Sequence, residues 1–260
     1  PMVFIPQYDD LANNPYVKDL QWYPFFKKLR EENDLIIFSH SRHNGFNLSA
    51  EMAIHQKGNN ILIDGVANFV KTHPKVKTKL IFFEYGMDVD ASKDLIKAHK
   101  IEDHIVWMPL MQRKEIMLGL NMADISCGQF DNSWLTCGVV DETLASNIPL
   151  LHYREDALYE TDYETLYPLM NAKTAADITE RLEAYSLDKD YQNKLAELGS
   201  QWLKKYTVDN PLRIIQAQFD LKTKTTLSIT ELKKVKSILK KHRTKDKVYR
   251  AQGKIKTKFT

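Results

Sequence analysis

The sequence predicts an α/β protein built on a doubly wound parallel sheet. Three observations carry this: apolar runs of strand length recur, each is followed by a polar connection, and each connection leads into a stretch with helical spacing. Five or six such units follow one another, which argues for an open parallel sheet, whereas a TIM barrel needs more units than the chain supplies.

Residues 1–33 show no sustained period and read as an approach segment with a short amphipathic helix near 22–32. The aromatic cluster Trp22–Phe26 reads as packing for a partner domain. Leu35–Ser39 is a continuous apolar run, as expected of a strand buried on both faces, and it ends in a polar loop at 40–49. After Gln56–Asn60, the residues Ile61, Leu62, Val66, Ala67, Phe69 and Val70 repeat at helical spacing, with Asn59 or Asn60 as the expected cap. Strands at 79–85 and 104–108 alternate with helices at 92–99 and 112–122.

The stretch 122–153 condenses the pattern. Ala123–Cys127 reads as a buried strand and Gly138–Ser146 as a helix. Asn147 stands where a left-handed helix-ending residue is wanted, and Pro149 blocks continuation before the strand 148–151. Beyond it come a loop at 155–164, a short strand at 167–170, and helices at 174–186, 188–206 and 209–220, with Leu195, Leu198, Trp202 and Leu203 on one apolar stripe.

Hydrophobic content of 43% and charged content of 27% are those of an ordinary soluble protein. No apolar run approaches the roughly 18 residues a bilayer span needs, and no signal pattern opens the chain, so a cytoplasmic location is expected. Cys127 and Cys137 make neither a disulfide framework nor a zinc site, and no bound metal or cofactor is expected. The net charge of +3 hides an asymmetry: residues 221–260 carry +12, leaving −9 on the rest. That tail, helical at 228–242 or disordered, reads as solvated or as a peripheral contact with an anionic membrane. Nucleic acid is the weakest reading, since Tyr249 and Phe259 are its only aromatics. The expected organisation is an approach segment at 1–33, a domain at 34–220 and the basic tail at 221–260. A start at Pro1 suggests a piece of a longer protein.

There is no GxGxxG and no GxxxxGK[ST]. Phosphate binding would have to come from Arg42 and Lys57 after the first strand, facing the backbone N–H groups of the helix that holds Glu142. Such a set could hold a diphosphate and stabilise it as a leaving group. The plainer alternative is two solvated cations and a favourable first-turn acid. His40 and His43 share that first loop.

These residues carry a resemblance. Ser41-Arg42 in a loop after a strand, Lys57-Gly58 opening a helix, and Glu142-Thr143-Leu144-Ala145-Ser146-Asn147-Ile148-Pro149 resemble the C-terminal, Rossmann-like donor-binding domain of GT-B glycosyltransferases, specifically retaining family 4. Ala123-Asp124 followed by Gln129-Phe130 is similar to another segment of that family, and Val106–Pro109 sits where its base-binding loop starts. The resemblance implies a nucleotide-sugar donor, with Arg42 and Lys57 on the diphosphate and Glu142 on the ribose as catalytic-site residues. Ser41, Gly58, Met108, Pro109, Gln129, Trp134, Gly138 and Thr143 would then line the substrate site. It implies hexosyl transfer with retention to a glycan, lipid or protein acceptor, completed by an N-terminal GT-B domain and inactive without it. Two departures stand out. Trp134 lies eight positions before Glu142, where the family's first glutamate is expected, and Asn147 replaces a glycine. A non-catalytic nucleotide-sugar-binding or interaction module of the same fold is the alternative. An epimerase or phosphorylase is a weaker third.

Overall fold

The computed structural model describes residues 14–45 and 55–219. The tail 221–260, with the helix expected at 228–242, lies outside the described residues. The chain divides into two compact units, 1–210 and 211–260. The first holds a six-stranded sheet in the order β3-β2-β1-β4-β5-β6.

Its strands are β1 (Leu35–Phe38), β2 (Thr78–Phe83), β3 (Ile105–Met108), β4 (Ile125–Cys127), β5 (Leu150–His152) and β6 (Met170–Asn171). Every pairing is parallel, with Ile37 opposite Leu80 on one side and opposite Ile125 on the other. The helices are α1 (Tyr23–Glu32), α2 (Asn59–Thr72), α3 (Val89–His99), α4 (Arg113–Asn121), α5 (Gly138–Ala145), α6 (Ala175–Leu187) and α7 (Lys189–Lys204). A π-helical turn, Lys205–Asp209, follows α7, and α8 (Asn210–Phe219) carries the described part of the second unit. Among the described residues no helix is long and apolar enough to cross a membrane.

Strand side chains alternate between two cores, as the period of two requires. Leu35, Ile37, Leu80, Phe82 and Ile125 pack with α2, α3 and α6, whereas Ile36, Phe38, Ile81, Phe83 and Leu150 pack with α1, α4, α5 and α7. Phe26 of α1 is buried against Phe38 at 6.2 Å between ring centroids, so it completes this domain's own core instead of waiting for a partner. Arg30 of α1 pairs with Asp124, whose Oδ2 also accepts from the Ile36 backbone at 2.7 Å. Asp124 therefore ties α1, β1 and β4 together at the edge away from the loops that follow the strands.

The ends of two helices test the sequence reading directly. Asn147 takes φ +55°, the left-handed conformation expected where α5 stops. The expected cap of α2 does not form: the helix begins at Asn59, and Gly58, at φ +69°, precedes it without a side-chain cap. The Asn59 side chain instead accepts from the Asn44 backbone at 3.3 Å, tying the helix start to the β1 loop.

Candidate functional site

In an open parallel sheet the ligand crevice forms where chain order reverses, at the carboxyl ends of the strands. Here that point lies between β1 and β4, flanked by the loops 39–45 and 128–137. Lys57 is clasped between them. Its N–H donates to Asn44 O at 2.9 Å, and its carbonyl accepts from Phe130 N at 3.1 Å. Its ammonium donates to Gln129 Oε1 at 2.6 Å, while Ser41 Oγ donates to Gly128 O at 3.0 Å. Four expected site residues, Ser41, Lys57, Gly58 and Gln129, thus meet at one seam. Close approach explains Gly58: a Cβ there would lie 2.8 Å from Phe130 Cβ.

Burial lowers the pKa of Lys57, and the Arg42 guanidinium pushes the same way, whereas Cys137 pushes it up. These influences put both cations and the start of α5 in one neighbourhood. Arg42 itself is exposed. At the start of α5 the Cys137 sulfur faces the Val139 and Val140 N–H groups without forming a full capping bond, and the space where a Gly138 Cβ would stand is open. A helix start with two cations nearby forms a place where negative charge is favoured.

Glu142 is not a free carboxylate. Its Oε2 lies 2.7 Å from His40 Nε2 and its Oε1 lies 3.0 Å from Arg113 Nη1, with only 8% of its side chain exposed. Arg113 begins α4, straight after the loop expected to face the base, and escaped the sequence reading. A cation in a first helical turn opposes the helix dipole, and that was the signal available. Two other expected binding residues are core residues. Thr143 is fully buried, its hydroxyl donating to Val139 O and meeting Ser126 Oγ, both at 2.7 Å, and Met108 is 2% exposed. Pro109 is exposed and borders a cleft of about 470 Å³ with Trp22 and Gln112.

The loop 129–134 is spanned by a histidine that the sequence reading did not single out. His152, at the end of β5, accepts from Gln129 N at its Nδ1 (3.0 Å) and donates from Nε2 to Trp134 O (2.8 Å). Those two bonds require the neutral ring with its proton on Nε2. Burial lowers its pKa to about 4, and burial does the same to His43, which sits against Phe82 and Trp107 with its Nδ1 2.8 Å from Ser92 Oγ. His43 is therefore a core residue of the loop, not a ligand group.

Burial acts the other way on Asp141, raising its pKa from 3.8 to about 6, with Glu142 adding to the rise. The signs decide the acid response. Between pH 6.5 and about 4 both histidines take up a proton only on unfolding, which removes stability as pH falls. Asp141 holds a proton in the folded state between about 6 and 3.8, which restores part of it. Near pH 5 the two histidines outweigh Asp141, so urea titrations should show stability falling as the pH is lowered through this window.

No protein-family model and no curated protein matches the sequence. Solved structures do match. The chain is similar to Anabaena HepE in complex with UDP and glucose, with a TM-score of 0.55 at 15% identity over 75% of this chain and 52% of that one. It is also similar to the C-terminal domain of LpcC, a glycosyl transferase group 1 family protein from Francisella tularensis, with a TM-score of 0.51 at 17% identity over 78% of this chain and 91% of that domain. The fold is the GT-B fold that these structures share. A glycosyltransferase from Rickettsia africae gives the same picture, with a TM-score of 0.55 at 15% identity over 83% of this chain and 55% of that one. The chain spans about half the length of HepE (52%), whereas it covers most of the single LpcC domain (91%). The crevice between β1 and β4 is thus the candidate ligand site of this fold.

Proposed function

We propose that this chain is the donor-binding part of a nucleotide-sugar-dependent glycosyltransferase that transfers a hexosyl group with retention. The observation that carries the reading is Lys57, clasped between the β1 and β4 loops beside Arg42 and the start of α5. In this reading Lys57 and Arg42 hold the diphosphate and the α5 N–H groups face it. Charge that develops on the departing diphosphate is met by groups already in place, without a metal ion. Glu142, oriented by His40 and Arg113, presents its carboxylate to the ribose. The base lies beside Pro109 and the start of α4, and a second GT-B domain completes the acceptor site. HepE has been crystallised with UDP-glucose, which favours a nucleotide-sugar donor.

One observation favours a second reading, a nucleotide-sugar-binding module without turnover. Trp134 stands where the resemblance calls for a glutamate, and its backbone carbonyl is pinned by His152.

Calorimetric titration with UDP, GDP and ADP tests the proposal. One of the three should bind saturably, and Arg42→Ala should weaken that binding by about ten-fold, the scale of one charge-assisted contact. Glu142→Ala should weaken it too and also cost roughly 1–3 kcal/mol of stability, since His40 loses its buried partner. Absence of binding by all three nucleotides to the folded chain contradicts the proposal. Hydrolysis or transfer from the matching nucleotide sugar separates the enzyme from the module.

A further inference from the structure

The β4 loop has a second side. Past Gln129 it runs into Asp131–Thr136, which line a cavity of about 690 Å³ together with residues of the β5 and β6 loops. Trp134, Tyr153 and Tyr159 give it aromatic walls, and Asp131, Asn132 and Glu155 contribute side-chain oxygen and amide groups. None of the described donor-site contacts of Lys57, Arg42 or Glu142 uses the β5 and β6 loop residues of this cavity.

We propose that this cavity binds a neutral saccharide of one or two rings. Four features of the lining select that chemistry. The volume is in the range of small-ligand sites. Flat aromatic walls suit the C–H faces of a pyranose ring, and carboxylates and amides accept and donate to its hydroxyls. The lining disfavours a phosphate, because Asp131 and Glu155 face it with only Lys173 in opposition. That lysine is engaged, donating to Tyr153 Oη at 3.2 Å and lying 4.7 Å from the centre of the Tyr153 ring. A purely apolar ligand would cover the half-buried Asp131 carboxyl without satisfying it.

The lining is held in shape before any ligand arrives. Tyr159 Oη donates to Ser133 O at 3.0 Å, and the Glu155 N–H donates to Ser133 Oγ at 2.9 Å, joining the β5 loop to the β4 loop. A preorganised wall lowers the ordering cost of binding. The loop that closes over Lys57 through Gln129 also supplies the cavity's Asp131 and Trp134. A saccharide here is therefore placed to be a neighbouring residue of the glycan acceptor. That last assignment rests on the donor-site reading, whereas saccharide binding itself does not.

Saturation-transfer NMR on the full chain with maltose, cellobiose and chitobiose tests the site, with UDP titrated alongside. At least one disaccharide should receive saturation. Tyr153→Ala should weaken it by about ten-fold, as expected for losing an aromatic wall, and Tyr153→Phe, which keeps the ring, should preserve it. UDP binding should be unchanged in both variants. No saturation of any of the three sugars, or equal saturation in Tyr153→Ala, overturns the proposal. Loss of the saccharide signal with UDP still binding condemns the cavity alone. Saccharide binding without binding of UDP, GDP or ADP condemns the donor-site reading alone.

Discussion

Replacing His152 by alanine should cost roughly 3–5 kcal/mol, the largest loss expected from a single change near the site. The histidine is fully buried and bonds to both ends of the β4 loop, Gln129 N and Trp134 O. Its removal leaves a buried donor and a buried acceptor unpaired and opens a cavity beside Gly128, where even an added Cβ would meet the ring at 2.3 Å. Donor binding should fall with stability, because Gln129 is the partner of the Lys57 ammonium. Denaturant midpoints and UDP affinity measured on the same variant check both halves. A His152→Ala protein with unchanged midpoint and affinity would mean that the loop is held by something else. His152→Gln, which keeps an acceptor and a donor, should recover part of the loss.

Gly58→Ala should cost roughly 2–4 kcal/mol, combining a left-handed backbone with overpacking against Phe130. The alanine Cβ would stand 2.8 Å from Phe130 Cβ and 3.2 Å from Asp131 N, and neither can retreat far, since Phe130 is buried at 1% exposure. Relief must come from separating the Lys57–Gly58 segment from the β4 loop, which is the seam that carries the Lys57 ammonium. Stability and UDP affinity should therefore fall together. Gly138→Ala is the contrast: open space surrounds its Cβ position, so the fold should tolerate it.

Much of this was legible in the sequence. Leu35–Phe38 could be placed because a strand buried on both faces is apolar at every position, and the turn at Asn147 because few residues tolerate a left-handed backbone next to a proline. Lys57 was placed in the site by where the strands of a parallel sheet end, whereas Ser41 and Gln129 were implied by the resemblance alone. The details that escaped are side-chain pairings across long stretches of chain. His40 meets Glu142 over 102 positions, and His152 meets Trp134 over 18, and no local pattern encodes either. The missed cap at Asn59 has the same cause, since its side chain is claimed by Asn44, 15 residues earlier. Phe26 was assigned to a partner domain because an isolated aromatic cluster does not reveal which core it enters.

A crystal structure of the chain with UDP is the most direct test. The account predicts the diphosphate between the Lys57 ammonium and the first turn of α5, with Arg42 drawn towards it and the ribose at Glu142. A diphosphate bound elsewhere, away from the crevice between β1 and β4, would contradict it.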